Sequence, residues 1–446
     1  MKRLFLPLFF VLVQLAYAQE FDKARMDTYL QLLEKHNKAS LTVAVSKGNE
    51  LIYQGHAGYL TSAKTSRIDG QTQFRVGSIT KTFTSVVCFQ LIEEGKLSLD
   101  TKLSEFFPTI KNAERINIGH LLRHRSGIQS FTNTPHHLAT NTKETSREQL
   151  LELMEAMESE FEPGTNYRYS NSGYTLLGLI IEKITGKTYE ENVKTRIVDK
   201  LGLTRTEYGG KIDPEDNEAS SLTFQMNSWI PLPFETHMSV PFAAGAMVST
   251  AADLNRFMYA LFNGQLVSES SLKQMKQFKQ NMGYGIFPIP FYRHAGIGHN
   301  GKLDSFDSSS SYFADEDLNI TVLANGLTIG FNDILIHVMN ICFGRDFELP
   351  NYDAQPIALD PTLLPAYEGT FAAPGFPMKI TISSNGKRLI AQATGQGPIA
   401  LTAYTKRDFR FNSAGIVMIF GEKNGKVDHS TFVLKQGGNQ HKFTRE

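Results

Sequence analysis

Three places in the chain hold the spacing Ser-x-x-Lys, and this spacing is the first candidate for chemistry. On a helix it sets a hydroxyl and an amine one turn apart on the same face, so a deprotonated lysine can take the serine proton as the oxygen attacks a carbonyl. The spacing is common by itself, and its surroundings must decide between the three. The pairs are Ser78/Lys81, Ser270/Lys273 and Ser384/Lys387.

The surroundings favour Ser78. It follows the turn residue Gly77 and opens a helical segment with an apolar side, so we expect Lys81 to be partly desolvated. Desolvation and the positive helix N-terminus both lower the pKa of an amine. Ser270 lies in a polar run typical of an exposed helix face, and Ser384 lies at a hairpin turn. The alternative is that Ser78 caps the helix and its lysine is in solvent.

A second group, Tyr169-Ser170-Asn171, precedes a strongly periodic helix. In an extended approach, residues two apart point the same way, so the phenol of Tyr169 and the carboxamide of Asn171 can face one cavity. Asparagine can hold a lysine and a substrate carbonyl, and tyrosine can pass a proton to a leaving group. The alternative is that Asn171 caps the helix and Tyr169 packs in the core.

A third group, Gly298-His299-Asn300-Gly301, lies in a segment with strand character. Its glycines allow close approach of a ligand, and an exposed strand edge can bind an extended substrate. His299 is a candidate to stabilise charge near the tyrosine oxygen. The alternative is a structural or solvated histidine.

The order Ser-x-x-Lys, Tyr-x-Asn, His-x-Gly resembles the signature motifs of the serine β-lactamase and penicillin-binding protein superfamily. The branch that it resembles contains class C β-lactamases, D-Ala-D-Ala carboxypeptidases, D-aminopeptidases and related esterases. The resemblance extends over roughly residues 41–327. Framework stretches that match are Phe74-Arg75-Val76-Gly77-Ser78, Leu121 to Gly127, Glu162-Pro163-Gly164 and Ala244 to Leu254.

The resemblance implies a role for each motif residue. The nucleophile would be Ser78, the base Lys81, the proton shuttle Tyr169, and the substrate-binding residues Asn171, His299, Gly301 and Lys302. The backbone N–H groups of Ser78 and Lys302 would form the oxyanion hole. The family usually has glycine-rich sequence after the third motif, whereas this chain has Leu303-Asp304-Ser305-Phe306-Asp307, which leaves the backbone geometry there open.

The third motif also bears on the substrate. Class C β-lactamases usually carry Lys-Thr-Gly there, and the fixed charge attracts the β-lactam carboxylate, whereas we expect His299 to be only partly charged near neutral pH. His-x-Gly is more similar to the peptidase and esterase members. The expected function is hydrolysis of a D-amino-acid peptide or a small ester through an acyl-enzyme. The alternatives are a class C-like β-lactamase and a non-hydrolytic penicillin-binding sensor.

The elements that position these residues predict an α+β fold. A helix is expected over residues 21–35, and hairpins are expected at 41–56 and 308–324, with helical patterns dominating from Ser78 to Gly210. This order predicts an antiparallel sheet flanked by helices with a large helical insertion. Asn385-Gly386 and Asn424-Gly425 mark hairpins of a small all-β domain.

We therefore predict four segments: a signal peptide (1–18), a β-lactamase-like hydrolase domain (19–345), a proline-rich linker (346–365) and a small β-sheet or barrel domain (366–446). The leader has Lys2 and Arg3, a short apolar run and then Ala16-Tyr17-Ala18, which predicts cleavage between Ala18 and Gln19. We expect a periplasmic or secreted protein without a membrane span after cleavage. The alternative is an N-terminal anchor, for which the run is too short.

Composition limits the partners. The 45 basic and 45 acidic residues balance, so we expect no nucleic-acid partner. The small-molecule or peptide substrate is what the family resemblance implies. The histidines lack metal-binding spacing, and we expect no metal and no cofactor. Cys88 and Cys342 could pair, but two free thiols are favoured. The oligomeric state stays open.

Overall fold

The computed structural model describes residues 21–411, 415–436 and 439–446. Along them the helices are α1 (Lys23–Lys35), α2 (Thr80–Glu93), α3 (Ile118–Leu122), α4 (Pro135–Thr140), α5 (Arg147–Glu155), α6 (Asn171–Thr185), α7 (Tyr189–Val193), α8 (Asp199–Leu201), α9 (Phe242–Gly245), α10 (Ala251–Phe262), α11 (Glu269–Met275) and α12 (Phe331–Cys342). Short 3-10 turns include Gly77–Ile79, Phe131–Asn133 and Pro361–Tyr367.

The strands divide between an N-terminal and a C-terminal group. The first group is β1 (Ala39–Lys47), β2 (Glu50–Ala57), β3 (Phe74–Arg75), β4 (Glu207–Tyr208), β5 (Leu222–Gln225), β6 (Ser228–Pro231), β7 (Met247–Ser249), β8 (Phe287–Phe291), β9 (His294–Leu303), β10 (Phe306–Phe313) and β11 (Leu318–Leu327). The second is β12 (Gly369–Ala372), β13 (Ile380–Ser384), β14 (Leu389–Ala393), β15 (Ile399–Ala400), β16 (Thr402–Ala403), β17 (Asp408–Phe411), β18 (Ile416–Lys423), β19 (Lys426–Gln436) and β20 (Asn439–Arg445).

A six-stranded antiparallel sheet in the order β2-β1-β11-β10-β9-β8 is the centre of the N-terminal part. The first eight residues of β1 are all buried, because α1 and α12 pack on one face of the sheet and α10 packs on the other. Between β2 and β8 the chain leaves the sheet for the predominantly helical segment that contains α2 to α11. The predicted α+β class and helical insertion are thereby confirmed.

Helix α2 lies in the middle of this helical segment and is buried on nearly all sides from Thr80 to Phe89. Its polar side chains find partners on neighbouring elements: Thr82 donates to the carbonyl of Gly285 at 2.9 Å, and Thr84 donates to that of Ala243 at 2.6 Å. The predicted single apolar side therefore understates the burial of this helix. Solvent is excluded from its first turns, which carry Lys81.

The C-terminal strands form a nine-stranded antiparallel sheet that curls towards a barrel. Its two end strands, β15 and β16, are separated in the chain by Leu401 alone. The interior is packed with aromatic side chains, and the turn Pro361–Tyr367 adds Leu364 and Tyr367 to the same core. The predicted all-β character is confirmed, whereas the boundaries of the four segments stay a prediction.

Two further expectations concern the chain ends and the thiols. The leader, residues 1–18, lies outside the described residues. No helix in the part of the chain that the structure describes is long and apolar enough to cross a membrane. Cys88 and Cys342 are both free thiols, so the alternative of a disulfide between them is wrong.

Candidate active site

Ser78 lies in the 3-10 turn that leads into α2, with Lys81 one turn further along. Nζ of Lys81 lies 3.0 Å from Oγ of Ser78. Neither the turn nor α2 has a side-chain cap at its start. The alternative in which Ser78 caps the helix and Lys81 is solvated is therefore wrong.

The amine of Lys81 is fully buried and is surrounded by neutral groups. Besides Ser78 it donates to Oδ1 of Asn171 at 2.8 Å and to the carbonyl of Ala244 at 2.7 Å. The ring of Tyr169 lies 4.9 Å from Nζ. Burial holds the pKa of Lys81 well below its usual value, because the charged form loses its hydration. An amine in this environment can accept a proton.

Tyr169 and Asn171 approach the same pocket from the start of α6. Ser170 between them is extended, so the side chains on either side of it can point the same way. Asn171 binds Lys81 through Oδ1 and donates from Nδ2 to Thr132 at 2.8 Å. The phenol of Tyr169 hydrogen-bonds to Ser78, and burial raises the pKa of that phenol. The alternative of a capping asparagine is wrong, because the N-cap of α6 is Ser170 and no side chain caps it. Tyr169 is buried, as the other half of that alternative expected, and its catalytic role stays a prediction.

His124 packs against the second motif and contacts both its backbone and the ring of Tyr169. The backbone N–H of Ser170 donates to Nδ1 of His124 at 3.1 Å, and the imidazole stacks on the ring of Tyr169 with centroids 4.2 Å apart. Burial holds the pKa of His124 well below its usual value, and Lys81 and His299 lower it further. A neutral ring therefore fixes both the backbone and the side chain on which the phenol depends.

The backbone of the third motif lies directly against the turn that carries Ser78. A Cβ added to Gly77, whose φ is +50°, would lie 2.8 Å from the amide nitrogen of Lys302. One added to Gly301 would lie 2.0 Å from the carbonyl oxygen of Val76 and 2.9 Å from the amide nitrogen of Ser78. Both positions require glycine. This contact brings the two amides expected for the oxyanion hole to one place.

The edge of β9 beside the site is open only over part of its length. β8 pairs with β9 as far as Gly298, and from there on β9 faces the Ser78 turn. Asn300 and the side chain of Lys302 are exposed along this stretch. An extended substrate could therefore add to the free edge beside the nucleophile.

His299 is buried rather than solvated. Its Nδ1 lies 2.5 Å from the carbonyl oxygen of Asn300, and its ring packs edge-on against Phe287 with centroids 4.8 Å apart. Burial and the nearby amine of Lys81 lower the pKa of His299 to about 3. The expectation of a partly charged His299 near neutral pH is therefore wrong, and the imidazole contributes no positive charge.

The other two Ser-x-x-Lys pairs lie away from this pocket. Ser270 and Lys273 are exposed on α11, and Lys387 is exposed in the hairpin between β13 and β14 that begins at Ser384. Surface residues of this kind lack the desolvation that lowers the pKa of a lysine. The structure thus agrees with the preference for Ser78.

Sequence reasoning missed several neighbours of the site. Ala244 and His124 lie in framework stretches that the resemblance identifies, but nothing in those stretches pointed to their contacts. Thr132 and Ser130, which bind the side chain and the backbone of Asn171, belong to no motif and gave no signal. Among the residues described, no group of three or more His, Cys, Asp or Glu side chains could hold a metal ion.

Comparison with known proteins places this geometry in a family. The profile described as Beta-lactamase matches residues 24–333. Penicillin-binding protein 4* of Bacillus subtilis is 23% identical over 95% of this chain and 98% of its own length. The crystal structure of a D-stereospecific amidohydrolase from Streptomyces sp. is 27% identical with a TM-score of 0.63, covering 72% of this chain and 98% of that one.

A third similarity includes the C-terminal strands. The octameric penicillin-binding protein homologue from Pyrococcus abyssi covers 95% of this chain and 99% of its own, with a TM-score of 0.64 and 21% identity. At that identity the likeness concerns the fold alone. The family match covers more than half of the chain and includes all three motifs. The chain therefore belongs to the β-lactamase family of serine hydrolases, together with penicillin-binding proteins.

Proposed function

We propose that this protein hydrolyses amide or ester bonds of small D-amino-acid derivatives through an acyl-enzyme on Ser78. The observation that carries the proposal is the buried amine of Lys81, which is bonded to Oγ of Ser78 and to Oδ1 of Asn171. A lysine with a lowered pKa is uncharged over more of the pH range and can act as a general base.

In the first step Oγ of Ser78 attacks the substrate carbonyl carbon while its proton passes to Nζ of Lys81. The carbonyl oxygen becomes an oxyanion, and the N–H groups of Ser78 and Lys302 stabilise it. Oδ1 of Asn171 accepts from Lys81 and Nδ2 donates to Thr132, so the carboxamide is held at both ends. Its role is to keep the amine aimed at the serine.

In the second step the tetrahedral intermediate expels the amine or alcohol. The proton held by Lys81 reaches the leaving group through the phenol of Tyr169, which is bonded to Ser78. The acyl group stays on Oγ as an ester. Water then attacks this ester while one of its protons passes to the same groups, and that proton is returned to Oγ of Ser78 as the acyl–oxygen bond breaks and the acid leaves.

The charges around the third motif support a substrate without a recognised carboxylate. His299 is uncharged at neutral pH, and the ammonium of Lys302 is paired with the carboxylate of Asp307 at 3.1 Å. A β-lactam or a peptide with a free C-terminus presents a carboxylate that needs an unpaired cation. Amides and esters of D-amino acids do not need one, and the Streptomyces relative is titled a D-stereospecific amidohydrolase.

A panel of substrates tests the proposal. Wild type and Ser78→Ala are compared on D-amino-acid amides, their L-enantiomers, p-nitrophenyl esters, D-Ala-D-Ala peptides and nitrocefin. We expect turnover of the D-amides and esters by the wild type alone, with kcat/KM at least about tenfold above that for the carboxylate-bearing substrates. Equal turnover by Ser78→Ala would overturn the mechanism. Preferred turnover of nitrocefin or D-Ala-D-Ala peptides would overturn the substrate assignment.

We also propose export, which is supported by the leader pattern of residues 1–18. Expression of the full chain in a Gram-negative host, followed by fractionation and N-terminal sequencing, tests it. A mature N-terminus at Gln19 in the periplasmic fraction is expected. A chain that keeps residues 1–18 in the cytoplasm would contradict it.

A further inference from the structure

The hairpin that follows the third motif carries an acidic residue where the family is usually glycine-rich. Asp304 occupies its tight turn with φ +54°, two residues after Lys302. Its side chain is only 2% exposed. A buried carboxylate is costly unless it is paired and hydrogen-bonded, so its partners indicate why it is there.

The partner with opposite charge is Arg75, which is fully buried in β3, three residues before Ser78. Nη1 of Arg75 lies 3.3 Å from Oδ2 of Asp304, and the guanidinium also donates to the carbonyl of Thr236 at 2.8 Å and to Glu235. Asp304 in turn accepts from the backbone N–H and the hydroxyl of Thr236, at 3.1 and 2.6 Å. Arg75, Asp304 and Thr236 are buried, whereas Glu235 is partly exposed.

We propose that Arg75, Asp304 and Thr236 form a clamp that sets the separation of the two oxyanion-hole amides. This inference rests on the proposed function, because it assigns the positioning of that same hole. One end of the clamp is in the strand that leads to Ser78, and the other is in the turn that follows Lys302. Neither Arg75 nor Asp304 need touch the substrate, so both are positioning residues.

The short chain segments make the clamp effective. Only Val76 and Gly77 separate Arg75 from Ser78, and only one residue separates Lys302 from Asp304, so neither amide can move far while the ion pair is intact. An oxyanion hole works only when its donors are already in place, and a shift of about 1 Å at a reacting centre can cost about a hundredfold in rate. The buried aspartate thus fixes the conformation of a turn whose sequence departs from the family's usual glycine-rich pattern.

The test compares Asp304→Asn with a matched control, Glu235→Gln. Both variants remove one carboxylate from Arg75, but only Asp304 belongs to the hairpin. We expect Asp304→Asn to lower kcat at least about tenfold with little change in KM, and to weaken binding of an arylboronic acid by a similar factor. The ascending limb of its pH–rate profile should stay in place, because Lys81 is untouched. Glu235→Gln should keep kcat within about threefold.

Thermal unfolding of both variants separates positioning from stability. Asp304→Asn with native kcat and native boronate affinity would overturn the clamp, as would an equal loss in Glu235→Gln. If Asp304→Asn does not fold, Thr236→Val removes only the hydroxyl donor, and an unchanged kcat in that variant would overturn the clamp. A wild type that forms neither an acyl-enzyme nor a boronate adduct would instead refute the proposed function itself.

Discussion

Nζ of Lys81 and Oγ of Ser78 lie 3.0 Å apart in the interior of the protein. The distance permits direct proton transfer, and burial lowers the pKa of the amine. A lysine in solvent at the same distance would be protonated at neutral pH and could accept nothing. The depth of α2 in the helical segment is therefore the feature that gives this pair its reactivity.

The pH dependence of hydrolysis follows from this pair. We expect kcat/KM for a neutral ester to rise with pH through the lowered pKa of Lys81, because only the unprotonated amine is a base. The ascending limb of this pH profile should lie well below pH 10.5. Tyr169 should add no descending limb below about pH 10, because burial raises the pKa of its phenol. Initial rates measured across pH test this. A limb at the pKa of an ordinary lysine would contradict it.

Asn171→Asp places a negative charge 2.8 Å from the amine. An opposite charge at that distance favours the ammonium form, so the pKa of Lys81 should rise. We expect the ascending limb to move to higher pH and the rate at pH 7 to fall at least about tenfold. Asn171→Ala serves as the control, since it removes the hydrogen bond without adding charge. An unshifted limb in Asn171→Asp would show that Lys81 is not the base.

Gly77→Ala tests the contact between the first and third motifs. The new methyl would lie 2.8 Å from the amide nitrogen of Lys302, at a residue with φ +50°. We expect a loss of about 1–3 kcal/mol in the free energy of unfolding, and a fall in kcat larger than the change in KM. Denaturant unfolding and steady-state kinetics measure the two effects. Gly186→Ala, which has a similar φ and no neighbour within 4 Å, is the matched control and should keep native kcat.

Glu218 offers a prediction on stability. Burial raises its pKa to about 7, and its Oε1 has no partner among the described residues. The folded state therefore binds a proton that the unfolded state releases between about pH 4.5 and 7, so stability falls as pH rises through that window. Glu218→Gln should remove this loss and be more stable at pH 8 by on the order of 3 kcal/mol, with little difference at pH 4.5. Urea unfolding measures the difference in the free energy of unfolding between Glu218→Gln and the wild type at both pH values. The same difference at pH 4.5 and pH 8 would contradict the prediction.

The sequence predicted the chemistry of the motifs better than their surroundings. Ser78, Lys81, Tyr169 and Asn171 meet because helices α2 and α6, both of which the sequence predicted, pack against each other. The charge of His299 was predicted wrongly, because burial by Phe287 and the nearness of Lys81 arise only when distant segments pack together. Long-range contacts of this kind leave no trace in local spacing.

The same reason explains what was missed. The ion pair of Arg75 with Asp304 spans more than two hundred residues, and each partner alone is an ordinary charged residue. The hairpin predicted at 308–324 gave no indication that its four successive serines, Ser308 to Ser311, would be buried. The hydroxyls of Ser308, Ser310 and Ser311 have hydrogen-bond partners, such as the carbonyl of Val76, to which Ser308 donates at 2.8 Å.

The most direct test of the central claim is the mass of the intact protein, measured after rapid quench during turnover of a p-nitrophenyl ester. We predict that the wild type gains the mass of one acyl group, located by peptide mapping on the fragment that contains Ser78, and that Ser78→Ala gains none. An acyl group on another residue would contradict the account. Turnover by the wild type without any acylated protein, also when the base is replaced in Lys81→Arg, would contradict it too.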